Sequence, residues 1–368
     1  MDRWSSTTLG DLIDRGDGEL QTGPFGTVLK ASEYSSSGSP VISVGEIQTG
    51  SIRISGRTPR VNEATMARLP QFVLNEGDIV FGRKGGIDRN ALIGARESGW
   101  FLGSDGIRLR LSDRVDSAFL SYQLRLPGIG KWLLGNSSGS IMPSLNEGML
   151  KRLPLRLPSL VEQKSIAAAL SSIDAKIDLN NRINAELEAL AKTIYDYWFV
   201  QFDFPDANGR PYRSSGGKMV WNEILKREIP AGWKVMTLSS LADEVKDGVV
   251  PNASDTSTPY IGLEHIARKS IVLPAWTTAD KATSNKVAFR KGDILFGKIR
   301  PYFHKVALAT MDGIASTDAI VMRPRQPQLA ALTLQTVFSD RFVETATASS
   351  TGSKMPRADW KVMRNYGA

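Results

Sequence analysis

The chain has 368 residues, a formal net charge of +8 and no cysteine. Hydrophobic residues at 41% and charged residues at 23% are the proportions of a folded protein with room for two or three domains. The lack of cysteine excludes disulfides, thiolate metal sites and thiol catalysis and fits a cytoplasmic setting, as does the absence of a signal peptide or membrane-length apolar run. The basic balance favours an acidic partner, nucleic acid before an anionic membrane.

Residues 4–157 read as short strands and turns with some helix. Val41-Ile42-Ser43-Val44 and Ile52-Arg53-Ile54 are β-branched runs separated by Gly-rich turns. Glu76-Gly77-Asp78 is a turn that feeds the strand Ile79-Val80-Phe81. Residues 119–126 and 130–134 are expected as helices, and residues 133–143 as a flexible loop rich in Ser and Gly. Trp100, Phe101, Trp276 and Tyr302 are expected to fill cores.

Residues 158–202 hold the one long helix-periodic run. Ile173, Ile177, Ile183, Leu187, Leu190, Ile194 and Tyr197 recur at steps of three, four or their sum, so they share one stripe. Ser159-x-x-Glu162 is a capping-box signature, and Pro158 and Pro205 bracket the run. At about 1.5 Å per residue, roughly 40 helical residues make a rod about 60 Å long. Asn180, Asn181 and Asn184 interrupt the apolar seam, as polar residues do where they fix the register of paired helices. One alternative is a helix lying across a single domain, but the flanking sequences argue for a spacer.

Residues 204–230 have the composition of a linker, and residues 231–368 repeat the first region. Trp4, Leu9 and Leu12 return as Trp233, Leu238 and Leu241. Gly77-Asp78-Ile79-Val80-Phe81-Gly82 returns as Gly292-Asp293-Ile294-Leu295-Phe296-Gly297, and Gly139-Ser140-Ile141-Met142-Pro143 as Gly352-Ser353-Lys354-Met355-Pro356. The offset is 229 residues at Trp4 and Trp233, 215 at Gly77 and Gly292, and 213 at Gly139 and Gly352. Kept order with drifting offset is what a duplication leaves. By the last offset Ala368 matches Leu155, so a second rod is expected to begin where the chain stops.

Catalytic chemistry finds little support. His265 and His304 are far apart and in no metal-ligand spacing. No Gly-x-Gly-x-x-Gly follows a strand, and Ser215-Gly216-Gly217-Lys218-Met219 lacks the hydroxyl residue of a phosphate loop. Asp78 and Asp293 are read as turn formers ahead of buried strands rather than paired catalytic carboxylates. His304 is read as structural, with DNA contact as its alternative.

These motifs, in this order, resemble the specificity subunit of type I restriction–modification enzymes. The resemblance rests on Gly-Asp-Ile-(Val/Leu)-Phe-Gly and Gly-Ser-x-Met-Pro in both halves, Glu162-Gln163 opening the rod, and the linker from Ser214-Ser215-Gly216-Gly217-Lys218-Met219 to Ile229-Pro230-Ala231-Gly232-Trp233. It covers essentially the whole chain, except that the family has a second helical spacer at its end. It implies an α+β fold: mixed α/β target recognition domains at 1–157 and 231–368, a coiled-coil-type helical spacer at 158–203, and a linker at 204–230. Each domain would read half of a split site in double-stranded DNA, and the chain itself would neither cut nor methylate. Modification subunits, which bind S-adenosylmethionine and flip an adenine, would dock on the spacer. Restriction subunits using ATP and Mg would join them. The candidate subunit interface is then the stripe of Ile173, Ile177, Ile183, Leu187, Leu190, Ile194 and Tyr197. Two rival classes are a stand-alone DNA-modifying enzyme and a non-DNA helical scaffold.

The candidate DNA contacts follow the matched strands. Arg83, Lys84 and Arg89 leave the first, and Lys298, Arg300 and Lys305 leave the second. Arg can bond guanine bidentately, and either cation neutralises phosphate and releases counterions. Ser140 in one loop, and Ser353, Lys354 and Arg357 in the other, offer small donors and charge beside a flexible backbone.

Overall fold

Why a strand such as Ile79–Gly82 reads as an unbroken apolar run becomes plain in the computed structural model, which describes residues 4–139 and 142–367. Side chains alternate across a strand. Ile79 and Phe81 enter one core with Leu9, Leu12, Leu109, Phe119 and Leu150. Val80 enters another with Ile42, Leu74, Ile93 and Phe101. A strand covered on both faces has no side left for polar residues.

The chain divides into two compact units, Met1–Ile177 and Asp178–Ala368, with the boundary inside the long helix. In the first, Gly18–Thr22, Gly106–Leu111, Ile79–Gly82 and Asn90–Leu92 form an antiparallel sheet in that order. A second sheet runs Tyr34–Ser35, Arg60–Val61, Ser39–Ile42 and Phe101–Leu102, its last pair parallel. Ser5–Thr8 pairs with Pro154–Leu157, so the start of the chain is tied to the segment just before the helix.

The second unit has a sheet of the same order and sense: Ala242–Val245, Ala319–Pro324, Ile294–Gly297 and Val306–Leu308. Ile294 and Phe296 enter a core with Leu238, Met322 and Phe342, while Leu295 enters another with Ile261, Phe289 and Val321. A five-stranded sheet runs Gly248–Val249, Lys286–Phe289, Gly313–Ser316, Pro259–Ile261 and Thr277–Thr278.

The helix spans Leu160–Tyr195 and continues as a π-helical turn over Asp196–Val200. Its start is anchored by several polar contacts. The Glu162 amide donates to Ser159 Oγ at 3.4 Å, and the Glu162 carboxylate accepts from Trp4 Nε1 at 3.3 Å. Gln163 accepts from the Asp116 amide at 3.0 Å and donates to the Pro158 carbonyl at 2.9 Å. Further along, one Glu188 oxygen accepts from Ser270 Oγ at 2.7 Å and from the amides of Ile271 and Val272 at 3.1 Å each. All seven stripe residues, Ile173 to Tyr197, are exposed, between 38% and 57%.

Four local expectations are corrected. Ile52-Arg53-Ile54 is not a strand; Ile52 makes one isolated bridge to Ile47, because the Gly-rich turns leave no partner of matching length. Leu133 belongs to the helix Pro127–Asn136 and is buried, since apolar packing outweighs its Gly and Ser neighbours. Residues 204–230 are folded rather than loose. Met219–Asn222 pairs with Arg227–Pro230, and Phe204 stacks between Tyr212 at 4.7 Å and Trp233 at 4.8 Å. Trp276 and Tyr302 are 48% and 52% exposed instead of core, while Phe101 is fully buried.

Candidate nucleic-acid interface

The Gly-Asp turn is a backbone device held by an ion pair whose carboxylate is buried and whose arginine is half-buried. Gly77 and Gly292 have φ of 88° and 91°, a region where a Cβ is strained. Asp78 closes the turn by accepting from the Asn75 amide at 2.7 Å, and Asp293 does the same for the Arg290 amide at 2.8 Å. Each carboxylate then takes a forked guanidinium. Arg110 donates to both Asp78 oxygens at 2.7 Å, and Arg323 to Asp293 at 2.8 and 2.7 Å. The bond to its aspartate holds each arginine above its ordinary pKa. Carboxylates so occupied are turn anchors, as read from the sequence; their arginine partners were not identified there.

Past the strand, the chain is sewn to the distant Gly-Ser-x-Met-Pro loop. In the first unit the Gly85 amide donates to the Pro143 carbonyl at 2.9 Å, and the Leu145 amide to the Arg83 carbonyl at 2.8 Å. In the second, Arg300 donates to Pro356 at 2.7 Å, and Ala358 to Lys298 at 2.9 Å. The loop is pinched at its base by Ser144 to Ser138 in one unit and Arg357 to Thr351 in the other, at 2.8 and 3.0 Å. Gly139 and Gly352 turn the two loops with φ of 96° and 101°. Two motifs about 55 residues apart in sequence thus become one site in each unit.

In the first unit, Arg83 lies 5.5 Å from the centre of the Phe25 ring and donates to the Ser104 carbonyl at 3.3 Å. Lys84 pairs with Asp105 at 3.4 Å and bridges to Ser144. Arg89 is exposed and makes no ion pair among the described residues. Ser140 lies outside the described residues.

In the second unit Lys298, Arg300, Ser353, Lys354 and Arg357 come together. Arg300 donates to the Lys354 carbonyl at 3.2 Å, and Arg357 lies 3.8 Å from Asp318. Ser353 and Lys354 are exposed, and Lys298 is half-buried. Lys305 does not join them. Its ammonium donates inward to the Leu263 carbonyl, and burial lowers its pKa. His304 is buried, with Nε2 2.7 Å from the Phe338 carbonyl and Nδ1 3.5 Å from Asp340.

The second unit also differs where the first has Gly85. Arg300 stands there with a positive φ of 48°, and His304 closes the turn at 53°. Holding non-glycine residues there costs on the order of 1 kcal/mol each. The turn so formed exposes Tyr302 and sets Phe303 beneath Arg268 at 3.8 Å and Arg300 at 5.9 Å. Sequence reasoning missed Arg268. Its one signal, the basic pair Arg268-Lys269, says nothing of a ring 35 residues away.

Each site therefore presents cations on a backbone fixed by its own hydrogen bonds, a surface suited to phosphate and base edges. Among the described residues no group of His, Cys, Asp or Glu is placed to hold a metal ion, and no helix is long and apolar enough to cross a membrane.

A family model described as the type I restriction modification DNA specificity domain matches residues 1–189. The MjaIX type I restriction enzyme specificity subunit of Methanocaldococcus jannaschii is 28% identical over 160 residues, 42% of this chain and 35% of that protein. The EcoDI type I restriction enzyme specificity subunit of Escherichia coli is 26% identical over 226 residues, 55% and 48% of the two chains. The chain thus spans less than half the length of these curated relatives. In fold, it is similar to the crystal structure of a type I restriction–modification S subunit from M. genitalium. The TM-score is 0.54 at 16% identity, covering 99% of this chain and 83% of the other.

Proposed function

The chain belongs to the type I restriction–modification DNA specificity family, and from that premise we propose that it reads a bipartite site in double-stranded DNA, one half with each unit. The observation that carries this reading is the recurrence of one site in both units. The Gly-Asp turn with its buried aspartate, the arginine paired to it, the strand after it and the Gly-Ser-x-Met-Pro loop are joined by equivalent bonds. Such recurrence supports a duplication, with two target recognition domains joined by the helical spacer.

Within each site Arg83, Lys84 and Arg89, or Lys298, Arg300, Lys354 and Arg357, meet phosphates and guanine edges, and their loops carry the sequence choice. Duplication on one polypeptide has a physical advantage. A two-fold dimer is bound to a palindrome, whereas two diverged copies keep the pseudo-symmetry and read unrelated halves. The chain is a non-catalytic subunit. Modification subunits dock on the exposed stripe of the spacer and supply S-adenosylmethionine. Restriction subunits supply ATP-driven cleavage with Mg.

The test exchanges residues 231–368 for the equivalent unit of a relative and maps methylated adenines in cells carrying the complete complex. One half-site changes and the other stays. A map with both halves altered would sink the two-reader model.

A further inference from the structure

Among the described residues five that are not glycine have a positive φ, and three of them, Lys269, Arg300 and His304, meet at one turn of the second unit. That turn joins Ile294–Gly297 to Val306–Leu308. The Arg300 amide donates to the Pro356 carbonyl at 2.7 Å, the His304 amide to Pro301 at 2.8 Å, and the Lys269 amide to His304 at 2.9 Å. Pro301 is buried, and its ring fixes its own φ. Strain of this kind persists only where neighbouring bonds over-determine the backbone, and it gathers where a side chain must be held in one place.

The side chain held out is Tyr302. It is 52% exposed, and its ring meets Phe303 edge-on at 4.9 Å, while Arg268 lies 3.8 Å from the centre of Phe303. Arg268, Lys269 and Lys354 are exposed around it, and Arg300 reaches the Lys354 carbonyl at 3.2 Å. The first unit has no ring in this turn. Its turn covers residues 83–89 against 298–305, seven residues instead of eight, and its Gly85-Gly86-Ile87 sends Ile87 into the core.

The cations suit phosphate, and an uncharged ring does not. Of the groups that base edges present in the major groove, the thymine C5-methyl is the apolar one, and Arg300 can bond a guanine in the same groove. A ring already fixed by its turn loses little freedom on making that contact. Resting on the reading of this unit as a DNA reader, we propose that Tyr302 is a specificity-determining residue of the second half-site, its ring pressed on the C5-methyl group of a thymine.

The experiment uses the complete complex with its modification subunits and a duplex carrying the site found by methylation mapping. Each thymine of the second half-site is replaced in turn by deoxyuridine, which lacks only the methyl group. One replacement should weaken wild-type binding about fourfold, the scale of one buried methyl. Tyr302→Ala should bind the thymine and deoxyuridine duplexes alike, and Tyr302→Phe should restore the difference. Replacements in the first half-site should act equally on the wild type and on Tyr302→Ala. A wild-type complex with no preference for its mapped site would overturn the DNA reading, and the proposal with it. A preferred site at which no replacement in the second half is felt, or one that Tyr302→Ala feels as strongly as the wild type, would overturn the proposal alone.

Discussion

Asp78 and Arg110 form a forked ion pair with both contacts at 2.7 Å, the carboxylate only 1% exposed. The aspartate closes the turn before the central strand, and the arginine comes from the neighbouring strand Gly106–Leu111. Removing one partner of such a pair strands a buried charge, at about 3–5 kcal/mol. Arg110→Ala should therefore lower the stability of the first unit by that amount, a large share of the 5–15 kcal/mol typical of domains. Arg323→Ala should do the same to the second. Urea unfolding of each variant is the measurement, and a loss under about 1 kcal/mol would refute the role.

The basic residues should divide into two classes. Arg300→Ala and Lys354→Ala should weaken duplex binding, and each should lower the log–log salt slope by about 1. Lys305→Met should leave both quantities alone, because the ammonium already faces the Leu263 carbonyl. Its lowered pKa means that folding opposes its charge. The penalty is fully present below the folded pKa and fades as pH rises through it toward the unfolded value. Loss of DNA binding in Lys305→Met would contradict the assignment.

Exposed apolar surface along the helix should make the isolated chain associate. Leu187 and Leu190 are 57% and 54% exposed, and covering such surface gains roughly 25 cal/mol per Å². Sedimentation at micromolar concentration should show self-association that Leu187→Glu with Leu190→Glu abolishes. A monomer before substitution would argue against the stripe as an interface.

The helix should act as a ruler. Its 36 residues make a length of about 54 Å at about 1.5 Å each. Four residues inserted near Asn184 add about 6 Å and about 400° of turn, so the stripe stays nearly in phase. The unread gap between half-sites should widen by up to about two base pairs, at about 3.4 Å each. Two inserted residues turn the stripe by about 200° and should abolish assembly. An unchanged gap in the methylation map after the four-residue insertion would show that the helix does not set the spacing.

Local patterns carried the helix, the Gly-Asp turns and the recurring motif order. A 3.6-residue period, a positive-φ glycine and an apolar strand are properties of neighbours in sequence, so they are visible there. The Arg110 and Arg323 anchors lie 32 and 30 residues from their aspartates, and composition offers no sign of either. Residues 204–230 look like a linker, yet Phe204, Tyr212 and Trp233 stack across 29 residues and give that segment its fold. Arg268 has no local relation to Phe303. The joining of Arg83 to the loop before Leu145, and the inward turn of Lys305, come from hydrogen bonds between separate strands and loops. Such partners are chosen by packing, because each buried polar group must find a mate wherever the folded chain brings one within reach.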